Sequence, residues 1–187
     1  MIEVRNVYKS FNGKEVLKDI SFTFEAGKTN LIIGQSGSGK TVLMKSVIGI
    51  HQVDKGQILY NGRDFTKMSG KEVALLRQEI GMLFQGSALF DSMTVEENVR
   101  FPLEMFSNKS KKEWEKRVAF CLDRVGLSHA AKLFPSEISG GMQKRAAIAR
   151  AIVLEPTYLF CDEPNSGLDP KTSLTIDQLI QEITREN

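Results

Sequence analysis

This chain of 187 residues has few cysteines and no long apolar run. Its two cysteines, Cys121 and Cys161, are far apart and form no CxxC pair, which fits a reducing cytosol and argues against a disulfide framework or a zinc site. No stretch approaches the roughly 18 apolar residues of a membrane-spanning helix, and residues 1–5 do not resemble a signal peptide. We therefore expect a soluble protein that reaches a membrane only through a partner.

A large excess of charge is also absent. The 25 Lys and Arg residues against 23 Asp and Glu give a net charge of +2, so composition does not predict a nucleic-acid-binding protein. One segment, residues 109–117, is locally basic, but Glu113 and Glu115 interrupt it, which favours a solvated helix face. Internal repeats and low-complexity segments do not occur, and the length predicts one domain with a lobe.

The apolar periodicity predicts an α/β protein. Period-2 alternation and short apolar runs predict strands at residues 2–7, 20–24, 31–33, 57–60, 80–84 and 158–161. The last of these is apolar throughout, as expected for a parallel strand buried on both faces. Helical periodicity covers residues 42–48, 71–78, 94–133, 142–154 and 170–185. A small antiparallel sheet therefore precedes a nucleotide-binding α/β core with additions.

Residues 34–41 read Gly-Gln-Ser-Gly-Ser-Gly-Lys-Thr, the GxxxxGK[ST] pattern, between a predicted strand and a predicted helix. Glycines let successive backbone N–H groups point at one anion, and the helix N-terminus adds its positive dipole end. The lysine would reach the β- and γ-phosphates of a nucleotide, and the threonine hydroxyl would bind Mg²⁺. A plain Gly/Ser-rich turn is the alternative, which the closing Lys-Thr pair disfavours. The candidate nucleotide ligands here are Gly34, Ser36, Gly37, Ser38, Gly39, Lys40 and Thr41.

Two carboxylates follow the predicted strand at residues 158–161. Carboxylates at the end of a buried strand are costly unless a cation lies nearby, and Mg²⁺ would supply one. Asp162 would hold the metal or one of its waters, while Glu163 would polarise a water that attacks the γ-phosphate. The alternative is an ordinary acidic turn, but the upstream phosphate loop favours the catalytic interpretation.

A second anion-binding helix start is predicted at Ser139, Gly140 and Gly141. One nucleotide already has its loop, so this turn is either an ordinary N-cap or part of a site on another molecule. The second interpretation implies two chains facing head to tail, with each nucleotide covered by the partner's serine turn. Asp169 would then lie near the shared seam.

Together these motifs resemble the nucleotide-binding subunit of an ATP-binding cassette (ABC) transporter, over essentially the whole chain. The resemblance implies an α/β P-loop NTPase (RecA-like) core, an N-terminal antiparallel β subdomain and an inserted α-helical subdomain. Within one domain, 1–187, the core with the β subdomain would comprise 1–85 and 137–187, and the helical subdomain 86–136. The implied ligands are ATP and Mg²⁺.

The resemblance also assigns roles to individual residues. Residues 34–41 match the Walker A loop, Ser139 to Gly141 the signature motif, and Asp162 with Glu163 the Walker B aspartate and catalytic glutamate. Gln85 matches the Q-loop glutamine, a sensor of Mg²⁺ and the γ-phosphate, and Asp169 ends the D-loop. Phe11 takes the place of the aromatic that stacks on adenine, although a core aromatic is an equal alternative.

Departures from the family pattern lead to further expectations. Met142 stands where many relatives carry glutamine, so a polar contact to the partner's nucleotide would be missing, and Asn165 replaces a commoner threonine. The family's switch histidine would follow the last helix and a further strand, and neither His51 nor His129 can take its place. We therefore expect a truncated form that lacks the last core strands and has poor activity alone.

The segment after Gln85, combined with Ser-Gly-Gly-Met, resembles the ATPases of Mla-type lipid transporters. This resemblance implies phospholipid transport with an integral membrane permease and an MCE-type substrate-binding protein, at the cytoplasmic face of the inner membrane. The alternative is another transport system, for lipoprotein release, amino acids or ions. An apolar cluster would line the permease groove or belong to the core of the lobe, and it comprises Ala88, Leu89, Phe90 and Met93.

Two other functions compete with transport. ABC ATPases of DNA repair or chromosome structure carry coiled coils or zinc-bearing inserts, but residues 41–139 show neither heptads nor CxxC. A nucleotide-dependent dimerisation module with little turnover is the other alternative. Glu163 argues against it for an intact protein, whereas the missing histidine favours it for this chain.

Overall fold

The computed structural model describes residues 1–185 in two compact units. The first comprises Met1–Arg77 with Thr184 and Arg185, and the second Gln78–Ile183. The first unit contains strands β1 (Ile2–Phe11), β2 (Lys14–Phe24), β3 (Lys55–Tyr60) and β4 (Arg63–Asp64) and helices α1 (Lys40–Val47) and α2 (Gly70–Gln78). The second contains strands β5 (Ile80–Leu83) and β6 (Tyr158–Cys161) and helices α3 (Val95–Phe106), α4 (Lys111–Arg124), α5 (Gly140–Ile152) and α6 (Pro170–Arg185).

The first unit is built on an antiparallel sheet of order β2-β1-β3-β4. β1 and β2 form a hairpin that pairs Ile2 with Phe24 and Phe11 with Lys14. Both strands are longer than predicted, because irregularities shift the pairing between Val4 and Ser10 and so interrupt the alternation of apolar residues. The expected antiparallel β subdomain is confirmed.

Helix α1 packs in the same unit through Leu43, Met44 and Val47, which are all buried. The Tyr60 hydroxyl at the end of β3 donates to the carbonyl oxygen of Val47 at 2.9 Å, with the Tyr60 side chain fully buried. Carbonyl oxygens in the last turn of a helix have no partner within the helix, and this bond supplies one to Val47.

The predicted strand at residues 31–33 is wrong. These residues have no regular secondary structure, and Leu31 and Ile33 are 78% and 83% exposed. An apolar run becomes a strand only by hydrogen bonding to a neighbouring strand, and neither described sheet includes these residues. Apolar character alone therefore mispredicted this segment.

In the second unit, β5 and β6 pair in parallel from Ile80 with Tyr158 to Leu83 with Cys161. Helix α5 lies directly against β5, because a Cβ atom on Gly81 would be only 2.3 Å from the carbonyl oxygen of Ala151. The parallel pairing of β6 is as expected, but its burial on both faces is not: all four residues are only half-buried.

The helical stretch predicted at residues 94–133 forms two α-helices, α3 and α4, followed by a short 3-10 turn. The chain leaves the helical path after Phe106, and Ser110 then starts α4 with a capping box that includes Glu113. The predicted apolar stripe of α4 is confirmed, since Val118, Cys121 and Leu122 are buried and Trp114 packs against the same core.

Asn98 on α3 organises the turn that precedes this helix. Its side chain is fully buried; the amide nitrogen donates to the carbonyl oxygens of Phe90, Met93 and Thr94, each at 3.0 Å. Its carbonyl oxygen accepts from the Phe90 backbone N–H at 2.8 Å. Removing this buried side chain is costly, because the Met93 carbonyl oxygen and the Phe90 N–H would lose the partner that Asn98 supplies.

We therefore expect Asn98→Ala to lower the free energy of unfolding by about 2–4 kcal/mol, as typical of buried polar groups left unpaired. Asn108→Ala is the matched control, because Asn108 is exposed, and it should change stability by less than about 0.5 kcal/mol. Urea unfolding of both variants checks this. Equal stability of the two variants would contradict the anchoring role of Asn98.

Candidate functional site

The glycine-rich loop at residues 34–41 lies in the first unit and leads into α1. Gly37 and Gly39 adopt left-handed backbone conformations with φ of 76° and 97°. Gly39 is the N-cap of α1, and a Cβ atom there would lie 3.2 Å from a methyl carbon of Val16. This position therefore needs glycine both for its backbone angle and for the space beside β2.

Lys40 curls back over this loop. Its ammonium donates to the carbonyl oxygens of Gly34 at 2.8 Å and Gln35 at 2.9 Å. Gly34, Ser36, Gly37 and Ser38 are exposed, whereas Gly39, Lys40 and Thr41 are half-buried. The loop thus surrounds a cation and leaves its own backbone open to solvent, an arrangement that suits a phosphate group.

Phe11 is an exposed aromatic in the first unit rather than a core residue. Its side chain is 37% exposed, so the core alternative is wrong. The ring meets His51 edge to face with centroids 5.2 Å apart, and the Lys9 ammonium lies 5.3 Å from its centre. A ring held between these groups has an accessible surface for stacking.

Gln85 and Glu163 are in contact in the second unit. The parallel pairing of β5 with β6 explains this contact. Leu83 pairs with Cys161, and the Asp162 N–H donates to the Leu83 carbonyl oxygen at 2.9 Å. Segments that leave neighbouring parallel strands at their carboxyl ends run side by side. The Gln85 side-chain amide accordingly donates to the Glu163 carboxylate at 2.7 Å.

Glu163 has an unusual backbone for a residue with a side chain. Its φ is 46°, in the left-handed region, and its carbonyl oxygen accepts from the Ser166 N–H at 3.0 Å. Such a conformation is sparsely populated outside glycine and persists where its surroundings hold it. The Glu163 side chain is exposed and Asp162 is half-buried, so both carboxylates remain within reach of a ligand.

Sequence reasoning missed Lys144 on α5. This lysine is buried, with 4% of its surface exposed, and its ammonium donates to the backbone carbonyl oxygen of Gln85. Burial lowers the pKa of Lys144, while the negative charges of Asp162 and Glu163 oppose that shift. Helical spacing could have indicated it, because Lys144 precedes buried Ala147 and Ile148 by three and four residues.

Ser139 forms the N-cap of α5, as one of its two interpretations predicted. Its hydroxyl oxygen accepts from the Met142 N–H at 3.3 Å. Ser139 and Gly140 are exposed and Gly141 is half-buried, so the cap leaves the turn open to solvent. The apolar side chain of Met142 packs against the core of its unit.

Asp169 precedes α6 and serves its first turn. Its carboxylate accepts from the N–H groups of Lys171 at 3.0 Å and Thr172 at 3.1 Å. Hydrogen bonds from the Thr172 hydroxyl and backbone hold the pKa of Asp169 below its usual value. The predicted place of Asp169 at a seam between two copies stays a prediction.

The apolar cluster after Gln85 divides between its two alternatives. Leu89 packs against the core of its unit and Met93 is half-buried, whereas Ala88 is exposed and Phe90 is 42% exposed. The Phe90 ring contacts Phe101, with centroids 4.9 Å apart. One part of the cluster is therefore core and the other part is available surface.

The family profile described as ABC transporter matches residues 17–166, which include the glycine-rich loop, the serine turn and both carboxylates. The chain belongs to the ABC transporter family. Within residues 1–185, no helix is both long and apolar enough to span a bilayer.

Among curated ABC proteins, the chain is similar to the probable ribonucleotide transport ATP-binding protein mkl of Mycobacterium tuberculosis. They are 43% identical over 185 residues, which cover 99% of this chain and 52% of that protein. The methionine import ATP-binding protein MetN of Clostridium tetani is 40% identical over 186 residues, covering 100% of this chain and 58% of MetN. The chain thus spans about half the length of the curated relatives it matches.

Solved ABC structures share the fold. The ATP-binding cassette MJ0796, in a dimeric post-hydrolysis state bound to ADP and Pi, matches with a TM-score of 0.89 at 30% identity, covering all of this chain and 84% of that one. The cbiO1 protein of Clostridium perfringens, part of the ABC transporter complex cbiONQ, matches with a TM-score of 0.89 at 32% identity, covering 99% and 74%. The predicted fold class, a P-loop ABC ATPase fold with β and helical subdomains, is confirmed.

The Gly39 geometry generates a prediction for this ABC domain. Gly39→Ala introduces a side chain at φ 97° and crowds Val16, so we expect weaker ATP binding and a loss of about 1–2 kcal/mol of stability. Gly70→Ala at the start of α2 is the control, because a Cβ atom there meets nothing within 4 Å. Thermal unfolding and equilibrium ATP binding check both variants. Unchanged binding and stability in Gly39→Ala would contradict the required loop geometry.

Proposed function

We propose that this chain is the ATP-binding and ATP-hydrolysing subunit of an ABC transporter. The observation that carries the proposal is the contact between Gln85 and Glu163 at the carboxyl ends of two parallel strands. A carboxylate fixed by an amide donor at a strand end has a defined orientation, as a general base requires. Family membership supplies the reaction for which such a base is needed.

In this proposal the loop at residues 34–41 binds the phosphates of ATP, with Lys40 as the cation that offsets their charge. Glu163 accepts a proton from the attacking water, so that the water oxygen can form its bond to the γ-phosphorus while ADP leaves. Gln85 holds one carboxylate oxygen and leaves the other for the water. Phe11 stacks on adenine, for which its 37% exposure leaves room.

The side chains proposed for Mg²⁺ fit this ion. Thr41, Gln85 and Asp162 offer hydroxyl, amide and carboxylate oxygens, which are the ligands that hard cations prefer. Within residues 1–185, no cluster of three or more His, Cys, Asp or Glu could hold a metal. This suits Mg²⁺, which proteins bind with one or two carboxylates together with substrate phosphates. When bound, Mg²⁺ would offset the charge on the phosphate oxygens.

We further propose a head-to-tail homodimer in which Ser139, Gly140 and Gly141 of one chain bind the nucleotide held by the other. Support comes from the exposed residues Ser139 and Gly140 at the start of α5, where the first N–H groups of a helix have no helical partner, and from the dimeric state of the similar cassette MJ0796. Asp169 would lie near the same seam.

The transporter would be completed by a membrane permease at the cytoplasmic face of the membrane. For the cargo, phospholipid with an MCE-type partner rests only on the resemblance of the segment after Gln85 and of Ser-Gly-Gly-Met. The alternative, another transport system such as amino acid import, has better support. Relatives that are 43% and 40% identical are named for ribonucleotide transport and methionine import.

Glu163→Gln tests the mechanism, because it removes the proposed base and keeps the side-chain shape. We expect ATP binding to persist, hydrolysis to fall by about 10²–10⁴-fold, and a closed dimer to accumulate. Lys40→Ala is the contrasting variant and should lose ATP binding, because the phosphates lose their cation. Equilibrium ATP binding, phosphate release and size-exclusion chromatography with MgATP measure these effects.

Two outcomes would contradict the proposal. Hydrolysis by Glu163→Gln at the wild-type rate would show that another group is the base. Tight ATP binding by Lys40→Ala would show that the loop at residues 34–41 is not the phosphate site.

A further inference from the structure

We propose that Lys144 is a positioning residue for the hydrolytic site: from α5 its ammonium fixes the backbone of Gln85, whose side chain contacts Glu163. This inference rests on the proposed function, since it concerns the same reaction. Lys144 lies outside the motifs to which the sequence analysis assigned roles.

The burial of Lys144 requires an explanation. Among residues 1–185 it is the one charged residue that is buried; the other buried polar residues, Ser46, Ser87 and Asn98, are neutral. Burying an ammonium costs several kcal/mol unless it finds hydrogen-bond partners and opposite charge. A lysine that served only packing would be replaced without loss by an apolar side chain of similar length.

The partner of the Lys144 ammonium is part of the site itself. It donates to the backbone carbonyl oxygen of Gln85, whose side chain in turn donates to Glu163 at 2.7 Å. The ammonium, the peptide group of Gln85 and the Glu163 carboxylate thus form one chain of contacts. If the Gln85 backbone shifts, the amide that orients the carboxylate shifts with it.

The charge of Lys144 acts on the same group of side chains. Asp162 and Glu163 lie near enough for their negative charges to favour the charged form of Lys144. Two adjacent carboxylates repel each other, and a nearby cation reduces that repulsion. Lys144 therefore contributes both a hydrogen bond and a counter-charge to the carboxylate pair.

Helix α5 also contacts the backbone of residues that follow Gln85, so it fixes this segment at two places. Arg150 donates to the carbonyl oxygens of Ser87 at 2.8 Å and Ala88 at 2.7 Å. Ser87 and Ala88 have left-handed φ angles of 61° and 50°, which need such support. Arg150 thus fixes the backbone at Ser87 and Ala88, while Lys144 fixes the backbone at Gln85.

The test compares three variants in the full-length protein. Lys144→Gln keeps a donor but removes the charge, Lys144→Met removes both, and Lys144→Arg keeps both. Lys112→Met is the matched control, because Lys112 is exposed on α4. Steady-state ATPase kinetics, equilibrium ATP binding and thermal unfolding are measured for each protein.

We expect Lys144→Gln and Lys144→Met to lower kcat by about ten- to a hundredfold, while the KM for ATP changes by less than about threefold. A loss confined to kcat is typical of a misplaced catalytic group rather than of weaker substrate binding. Lys144→Arg should recover part of the rate lost in Lys144→Gln, and Lys112→Met should behave as wild type.

The outcomes separate this inference from the proposed function. Wild-type kcat in Lys144→Gln would overturn the inference alone. A parallel loss of stability, ATP binding and kcat in all three Lys144 variants would assign a purely structural role and overturn it as well. A wild-type protein without ATPase activity would overturn the proposed function, and this inference with it.

Discussion

The candidate hydrolytic site depends on the parallel pairing of β5 with β6. The register of this pair sets Leu83 beside Cys161, so the residues that follow each strand leave the sheet together. Gln85 and Glu163, which are far apart in sequence, therefore meet at 2.7 Å. Gly81 lets α5 pack directly on β5, and that packing brings Lys144 to the Gln85 backbone. One strand pair and one close helix contact thus bring Gln85, Glu163 and Lys144 together in the second unit.

The glycine-rich loop at residues 34–41 differs in this respect, because its conformation depends on local backbone geometry more than on strand pairing. Gly39 ends the loop in a left-handed conformation and begins α1 at the same residue. Lys40 then folds back onto the carbonyl oxygens of Gly34 and Gln35. In the second unit, left-handed residues with side chains occur at Ser87, Ala88 and Glu163, where hydrogen bonds stabilise backbone conformations that otherwise favour glycine.

How much could be predicted from the sequence depends on how far apart the interacting residues lie along the chain. Local signals predicted most elements, the glycine-rich loop and the cap at Ser139, since each depends on a few neighbouring residues. The strand at residues 31–33 was mispredicted because pairing depends on distant residues. The Gln85–Glu163 contact needed the order of two parallel strands, and Lys144 was missed because a lysine on an alanine-rich helix is ordinarily taken as exposed. The roles of these residues toward ATP and Mg²⁺ remain predictions.

The most direct test of the account is a double-mutant cycle between Gln85 and Glu163 in single-turnover ATP hydrolysis. Because Gln85 orients the Glu163 carboxylate in this account, Gln85→Ala should slow wild-type hydrolysis by about tenfold or more. In the Glu163→Gln background only the loss of its proposed Mg²⁺ contact should remain, so the effect should be smaller. Equal rate reductions in the two backgrounds would show that the residues act independently. That result would contradict the central claim that the contact between them orients the base.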